Sequence, residues 1–242
     1  MKKILLTIIA FACSASMSMA AMFAIDSDVA DRGIGMSDGS GADPVGLKLL
    51  WAGEDEQGVG DDNFFYTKAE QAAVLVFQLP DLGGESISTA NLDFDAYIAY
   101  PGGTFPKNVM LYGSRYDASS AVTLGDYAYS ATTVGTLLQG DLINIASNVN
   151  LGWGSYETSA TGDSAITTWL SDQYTAGASA GDYVFLTIAI DSESSNPVNI
   201  AMAEHITQST PVLTITTAIP EPGTMALVLI SLGGLLLFRR RS

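Results

Sequence analysis

The 242 residues carry 10 Lys and Arg against 26 Asp and Glu, a net charge of −16, with 48% hydrophobic and only 15% charged residues. So acidic a chain repels phosphate instead of displacing its counterions, which excludes a nucleic-acid partner. One cysteine and one histidine cannot furnish the three or four Cys and His ligands of a zinc site. Met1 to Ala20 opens with Lys2 and Lys3, runs apolar from Ile4 to Ala12, and ends with small residues at Ser18 and Ala20. That pattern predicts a secretory signal peptide over residues 1–20, cut by signal peptidase between Ala20 and Ala21. Its apolar run is roughly half of the ~20 residues that a membrane span requires. Cys13 leaves with the peptide, so the exported chain has no thiol for redox or nucleophilic chemistry.

Residues 21–218 read as one domain, made of short runs with period-two alternation separated by turn residues. The predicted strands are Leu47 to Trp51, Ala73 to Leu79, Leu92 to Ile98, Val109 to Tyr112, Leu142 to Ala146, Tyr183 to Ile190, Val198 to Ala203 and Val212 to Thr217. Gly83-Gly84, Pro101-Gly102-Gly103 and Asn196-Pro197 supply turns between them. In the clearest run, Leu92, Phe94, Ala96 and Ile98 share one face, while Asp93, Asp95 and Tyr97 face water. Ser164 to Tyr174 predicts a short helix with Asp163 or Ser164 as its N-cap, and Val134 to Leu138 a further helical turn. The expected fold is all-β: an antiparallel, jelly-roll-like β-sandwich carrying one or two short helices.

Four constellations in this body bear on chemistry. Gly177-Ala178-Ser179-Ala180-Gly181 matches a nucleophile elbow, with Asp191 and His205 following in the chain order of a hydrolase triad. The elbow requires a strand before the serine and a helix after it; here a helix precedes and a strand follows, so no catalytic residue is expected. Asp93 and Asp95 lie on the outer side of their strand, as a solvated face rather than a glycosidase pair. Asp26, Asp28 and Asp31, and the run Glu54-Asp55-Glu56 with Asp61-Asp62-Asn63, offer oxygen ligands to a structural calcium, the one cofactor considered, without the EF-hand spacing. Trp153 and Tyr156, in a glycine-flanked segment read as an exposed loop, form the candidate ligand patch.

At the end of the chain Pro220-Glu221-Pro222 precedes the uncharged run Thr224 to Phe238, which is followed by Arg239-Arg240-Arg241. Residues 224–238 as a helix reach about 22 Å, short for a bilayer core of about 30 Å but long enough to cross with local thinning. The terminal arginines hold the tail in the cytoplasm, so this transmembrane helix leaves the body on the far side. The two prolines keep the peptide just outside the membrane extended and accessible. These three elements, in this order over residues 219–242, closely resemble the PEP-CTERM sorting signal of Gram-negative bacteria. The resemblance implies recognition by an exosortase, cleavage near Pro220 to Pro222, and delivery to the cell surface or an extracellular polysaccharide matrix.

A second resemblance spans roughly Leu47 to Thr217. Val74-Leu75-Val76-Phe77-Gln78-Leu79-Pro80, Ile166-Thr167-Thr168-Trp169-Leu170, Gly181-Asp182-Tyr183-Val184-Phe185-Leu186, Ala203-Glu204-His205 and Pro211-Val212-Leu213-Thr214-Ile215 occur in an order similar to the DNRLRE family of extracellular β-sandwich modules. Some members of that family bind acidic polysaccharide. This chain has Ala203 before Glu204, where such modules often carry arginine. With both ends removed the body keeps 5 basic and 25 acidic residues, a net −20. The expectation is an exported envelope or matrix protein, non-enzymatic, with exopolysaccharide as candidate partner; a surface glycan hydrolase or lyase is the alternative.

Overall fold

A computed structural model describes residues 20–37, 46–52, 56–61, 69–98, 108–126, 135–144, 152–190 and 198–218. Among them are β1 (Met22–Asp26), β2 (Arg32–Ser37), β3 (Gly46–Ala52), β4 (Glu56–Asp61), β5 (Ala69–Gln78), β6 (Ile87–Ile98), β7 (Asn108–Asp117) and β8 (Thr136–Asn144). β9 (Gly152–Glu157), α1 (Ala160–Ala176), β10 (Tyr183–Ile190), β11 (Val198–Ala201) and β12 (Val212–Thr217) complete the order. The signal peptide and the transmembrane run expected from the sequence lie outside the described residues, as do the turns at Pro101 and Asn196.

The strands form two antiparallel sheets, packed as a sandwich. In the first, β1 pairs β12, β12 and β11 lie end to end along one edge of β6, and β9 takes the other edge. In the second, the order is β3-β2-β5-β10-β7-β8. β4 joins them: its first four residues pair with β11 and its last two with β5. A strand that leaves one sheet and enters the other makes a closed corner of this kind.

Alternation explains the core. Leu92, Phe94, Ala96 and Ile98 of β6 face inward as expected, against Leu75 and Phe77 of β5 and Val184, Leu186 and Ile188 of β10. The second sheet is buried on its other face as well, where Ile34, Val74, Val76, Tyr112 and Phe185 pack with Val122. That is why Ala72 to Phe77 reads as an unbroken apolar run, and Val184 to Ala189 as one interrupted only by the buried Thr187.

α1 closes the edge of β6 that β9 leaves open. The Leu92 amide donates to Thr158 Oγ1 at 3.0 Å and the Ala90 amide to Thr167 Oγ1 at 2.8 Å, while the Thr158 amide returns a bond to the Leu92 carbonyl. Hydroxyls thus stand in for a neighbouring strand. The helix begins earlier than predicted: its N-cap is Ser159, whose Oγ accepts from the Gly162 amide, and not Asp163 or Ser164. Asp163 instead sits in the first turn, where a carboxylate meets the positive end of the helix. Ile166, Trp169 and Leu170 are buried, and Gly113 of β7 leaves the space that the Trp169 indole fills. The helical turn predicted within Val134 to Leu138 is corrected, because Thr136 onward pairs with β7 as β8. Tyr174 near the helix end donates to the Pro80 carbonyl; burial, then the charge of Asp81, pushes its hydroxyl up to about 12.

Candidate functional site

The outer face of the first sheet carries the most concentrated chemistry. Cross-strand register sets three successive pairs on β6 and β9: Tyr97 with Trp153, Asp95 with Ser155, and Asp93 with Glu157. All six are odd-numbered and therefore point away from the core-facing Phe94 and Ala96. The Tyr97 and Trp153 rings lie 5.6 Å apart, tilted by 59°. His205 meets Trp153 edge-on, with centroids 4.8 Å apart. Tyr97 is 36% exposed, while Trp153 and His205 are half-buried.

His205 arrives on the segment between β11 and β12, which bulges out where β6 would otherwise pair straight through. Its Nδ1 accepts from the Thr207 and Gln208 amides at 3.2 and 3.0 Å. With that lone pair engaged, the imidazole proton belongs on Nε2. The same segment is tied down by Asp95, whose Oδ2 accepts from the Ser209 amide at 2.9 Å and whose Oδ1 accepts from Ser155 Oγ at 2.6 Å. Asp95 is consequently only 7% exposed. The solvated position expected for it is corrected: the side chain does point outward, but the 202–211 segment covers it.

Beside these groups a cleft of about 360 Å³ is lined by Asp93, Asp95, Ser155, Glu157, Ser209 and Thr210 together with Phe94, Tyr156 and Val212. Asp93 accepts one bond from the Asn91 side-chain amide at 2.9 Å. Glu157 is exposed and makes no hydrogen bond or ion pair among the described residues. Among the described residues no lysine or arginine lines the cleft. The arrangement offers aromatic rings at one end and acceptor-only carboxylates at the other.

The remaining sequence candidates fall elsewhere. Trp153 belongs to a strand, not an exposed loop, and Tyr156 lies on the opposite face of β9, stacked on Phe94 at 5.9 Å against the core. The two therefore do not form one patch; Tyr97 and His205 are the neighbours of Trp153. Ser179 follows the helix C-cap Gly177, and its amide and hydroxyl both donate to Asp182. It caps a turn in the small-residue loop that the order of elements implied. Asp191 is outside the described residues.

Asp26, Asp28 and Asp31 are not gathered around a common point. Asp26 is exposed in β1 and Asp28 Oδ1 accepts from the Ala30 amide. Asp31 turns inward, where its Oδ1 accepts from the Val76 amide at 2.6 Å. Burial raises the Asp31 carboxyl well above the ordinary carboxylate range; Ser27 and the Val76 amide oppose the rise, and the charges of Glu204 and Asp28 add to it. Among the described residues no group of three His, Cys, Asp or Glu side chains could hold a metal. Glu54, Asp55, Asp62 and Asn63 lie outside the described residues.

No curated relative matches the chain. Among solved structures it is similar to a xylan-binding module, CBM15, at 14% identity, over 82% of this chain and 98% of that one, with a TM-score of 0.38. A likeness so distant says nothing about what this chain binds. The tail that leaves β12 is defined more sharply: residues 218–242 match the PEP-CTERM protein-sorting motif, and the chain carries that sorting signal.

Proposed function

We propose that the chain is exported, handed by its C-terminal signal to an exosortase, and displayed at the envelope surface or in the extracellular matrix. There the outer face of the first sheet binds polysaccharide without cleaving it. The observation that carries this reading is the ring cluster of Tyr97, Trp153 and His205 beside an open polar cleft. Sugar rings present apolar faces to aromatic planes and hydroxyls to polar neighbours, which is the mixture found here.

Two measurements test it. Intact mass of the surface protein should show an N-terminus at Ala21 and a C-terminus near Pro220 to Pro222, and replacing Pro220 and Glu221 with alanine should leave the tail uncut. Retention on immobilised envelope polysaccharide should disappear in Trp153→Ala. A protein that keeps both ends, or one that binds no polysaccharide, is not the molecule proposed.

One observation favours the alternative, a glycan-cleaving enzyme: Asp93 and Glu157 are direct cross-strand partners, a placement that puts two carboxylates within reach of one glycosidic bond. Release of reducing sugar that stops in Glu157→Gln would establish it.

A further inference from the structure

We infer, on the reading that this face binds glycan, that its ligand is an uncharged, extended polysaccharide whose ring faces lie on Tyr97 and Trp153 while its hydroxyls donate to Asp93 and Glu157. The inference starts from what each group can still do. Asp95 is spent on Ser155 and Ser209. Asp93 keeps acceptor capacity beyond its single bond from Asn91, and Glu157 keeps all of its own. An ionised carboxylate accepts hydrogen bonds and donates none. Its natural sugar partner is therefore a hydroxyl, in a charge-assisted bond roughly twice as strong as a neutral one.

The same carboxylates decide what is refused. A uronate or sulfate held over Trp153 would lie beside Asp93 and Glu157, with no cation among the described residues that line the cleft to neutralise it. The body around the site carries a net −20, so the long-range field repels an anionic chain before it docks. The distance from the aromatic pair to the acidic pair is four residues along β9, past the exposed Ser155 and beside the segment that covers Asp95, or about 13 Å at roughly 3.3 Å per residue. That length suits a run of sugar rings better than a single one.

The test measures retention of the exported protein, at low and high salt, on a panel of uncharged polysaccharides and a panel of uronate-bearing or sulfated ones. The structure predicts retention on members of the first panel only, at both salt levels, lost in Trp153→Ala. Asp93→Ala with Glu157→Ala, which removes the acceptors altogether, should weaken that binding by at least about tenfold, the expected cost of removing a hydrogen bond to a charged group. Binding confined to the anionic panel, yet still abolished by Trp153→Ala, would leave the glycan face standing and overturn its selectivity. Unchanged affinity in the double variant would remove the carboxylates from recognition. Absence of binding to either panel would overturn the proposed function itself.

Discussion

Arg115 grips the fully buried carboxylate of Asp126 with two nitrogens, Nε at 2.8 Å from one oxygen and Nη2 at 3.0 Å from the other. Asp126 also accepts from the Thr123 amide and hydroxyl, and the guanidinium lies 4.1 Å from the centre of the Phe185 ring. The pair fastens the 118–126 segment over the outer face of the second sheet and lets Val122 bury the apolar side of β10 there. Removing Asp126 leaves Arg115 its exposed partner Asp117 but takes the acceptor from the Thr123 amide and hydroxyl. Asp126→Ala should therefore cost about 1–3 kcal/mol of folding stability, read from urea unfolding. Arg115→Lys keeps the charge but loses the two-pronged geometry, and should fall between the two proteins.

Thr158 carries a different kind of weight. Its hydroxyl accepts from the buried Leu92 amide, and it donates to Asp163 in the first turn of α1. Thr158→Val keeps the shape and leaves that amide without a partner, so a loss of about 1–3 kcal/mol is expected. Thr158→Ser should recover most of it. Equal stability of the two variants would show that packing, and not the hydrogen bond, is what Thr158 contributes.

Where the apolar pattern was strong, nearly continuous in Tyr183 to Ile190 and alternating in Val212 to Thr217, the sequence was readable to the residue: these are β10 and β12 as expected. Four strands were unpredicted: β1, and β2, β4 and β9, the last three with glycines interrupting Arg32–Ser37, Glu56–Asp61 and Gly152–Glu157. Their extended form comes from ladder partners distant in the chain, a contribution no local window contains. The site was half legible for the same reason. Trp153 could be singled out by type, but its partners come from β6 and from the segment before β12. Once Gly152–Glu157 is a strand, period two alone separates Trp153 from Tyr156. Nothing near Asp95 in sequence announces that Ser209 will close over it.

Asp31 makes stability depend on pH in a direction opposite to most carboxylates. Its pKa is raised in the folded protein, whereas an unfolded Asp titrates near about 3.9. The folded state therefore keeps its proton to higher pH than the unfolded state does. Its contribution is fully present below that unfolded value and is lost as pH rises through the raised folded one. Asp31→Asn preserves an acceptor for the Val76 amide and removes the titration. Melting temperature plotted against pH should fall for the natural protein relative to Asp31→Asn as pH climbs above about 4. Parallel curves would mean that the buried carboxyl does not govern this range.

Signal cleavage should leave a well-placed new terminus. The Ala21 amide donates to Thr217 Oγ1 at 2.9 Å, and Thr217 in turn bonds Glu85. A cut after Ala20 converts that amide into an ammonium close to a carboxylate. Glu85→Gln should then lower stability by about 0.2–1 kcal/mol, the usual worth of a partly exposed ion pair. The loss should shrink at high salt or once the amine is acetylated.

Asp95 links the architecture of the site to its chemistry. Both of its oxygens are occupied by groups that shape the face, Ser155 of β9 and the Ser209 amide of the 202–211 segment. That segment also delivers His205 to Trp153, the two rings T-shaped with centroids 4.8 Å apart. Asp95→Ala removes the anchor and leaves the Ser209 amide to find water. The segment should then open, withdraw His205 and expose the Trp153 ring, while the core-facing side of β6 stays packed. The expected signature is a red-shifted Trp153 emission, isolated by subtracting the spectrum of Trp153→Phe, together with faster amide exchange at Thr207 to Ser209. Global unfolding midpoints should move far less than in Asp126→Ala. Asp95→Asn, with its Oδ1 toward the Ser209 amide and its Nδ2 donating to Ser155 Oγ, which can turn to accept, should restore the emission. If Trp153 emission is unchanged in Asp95→Ala, the His205 imidazole, held by the Thr207 and Gln208 amides, fixes the segment by itself.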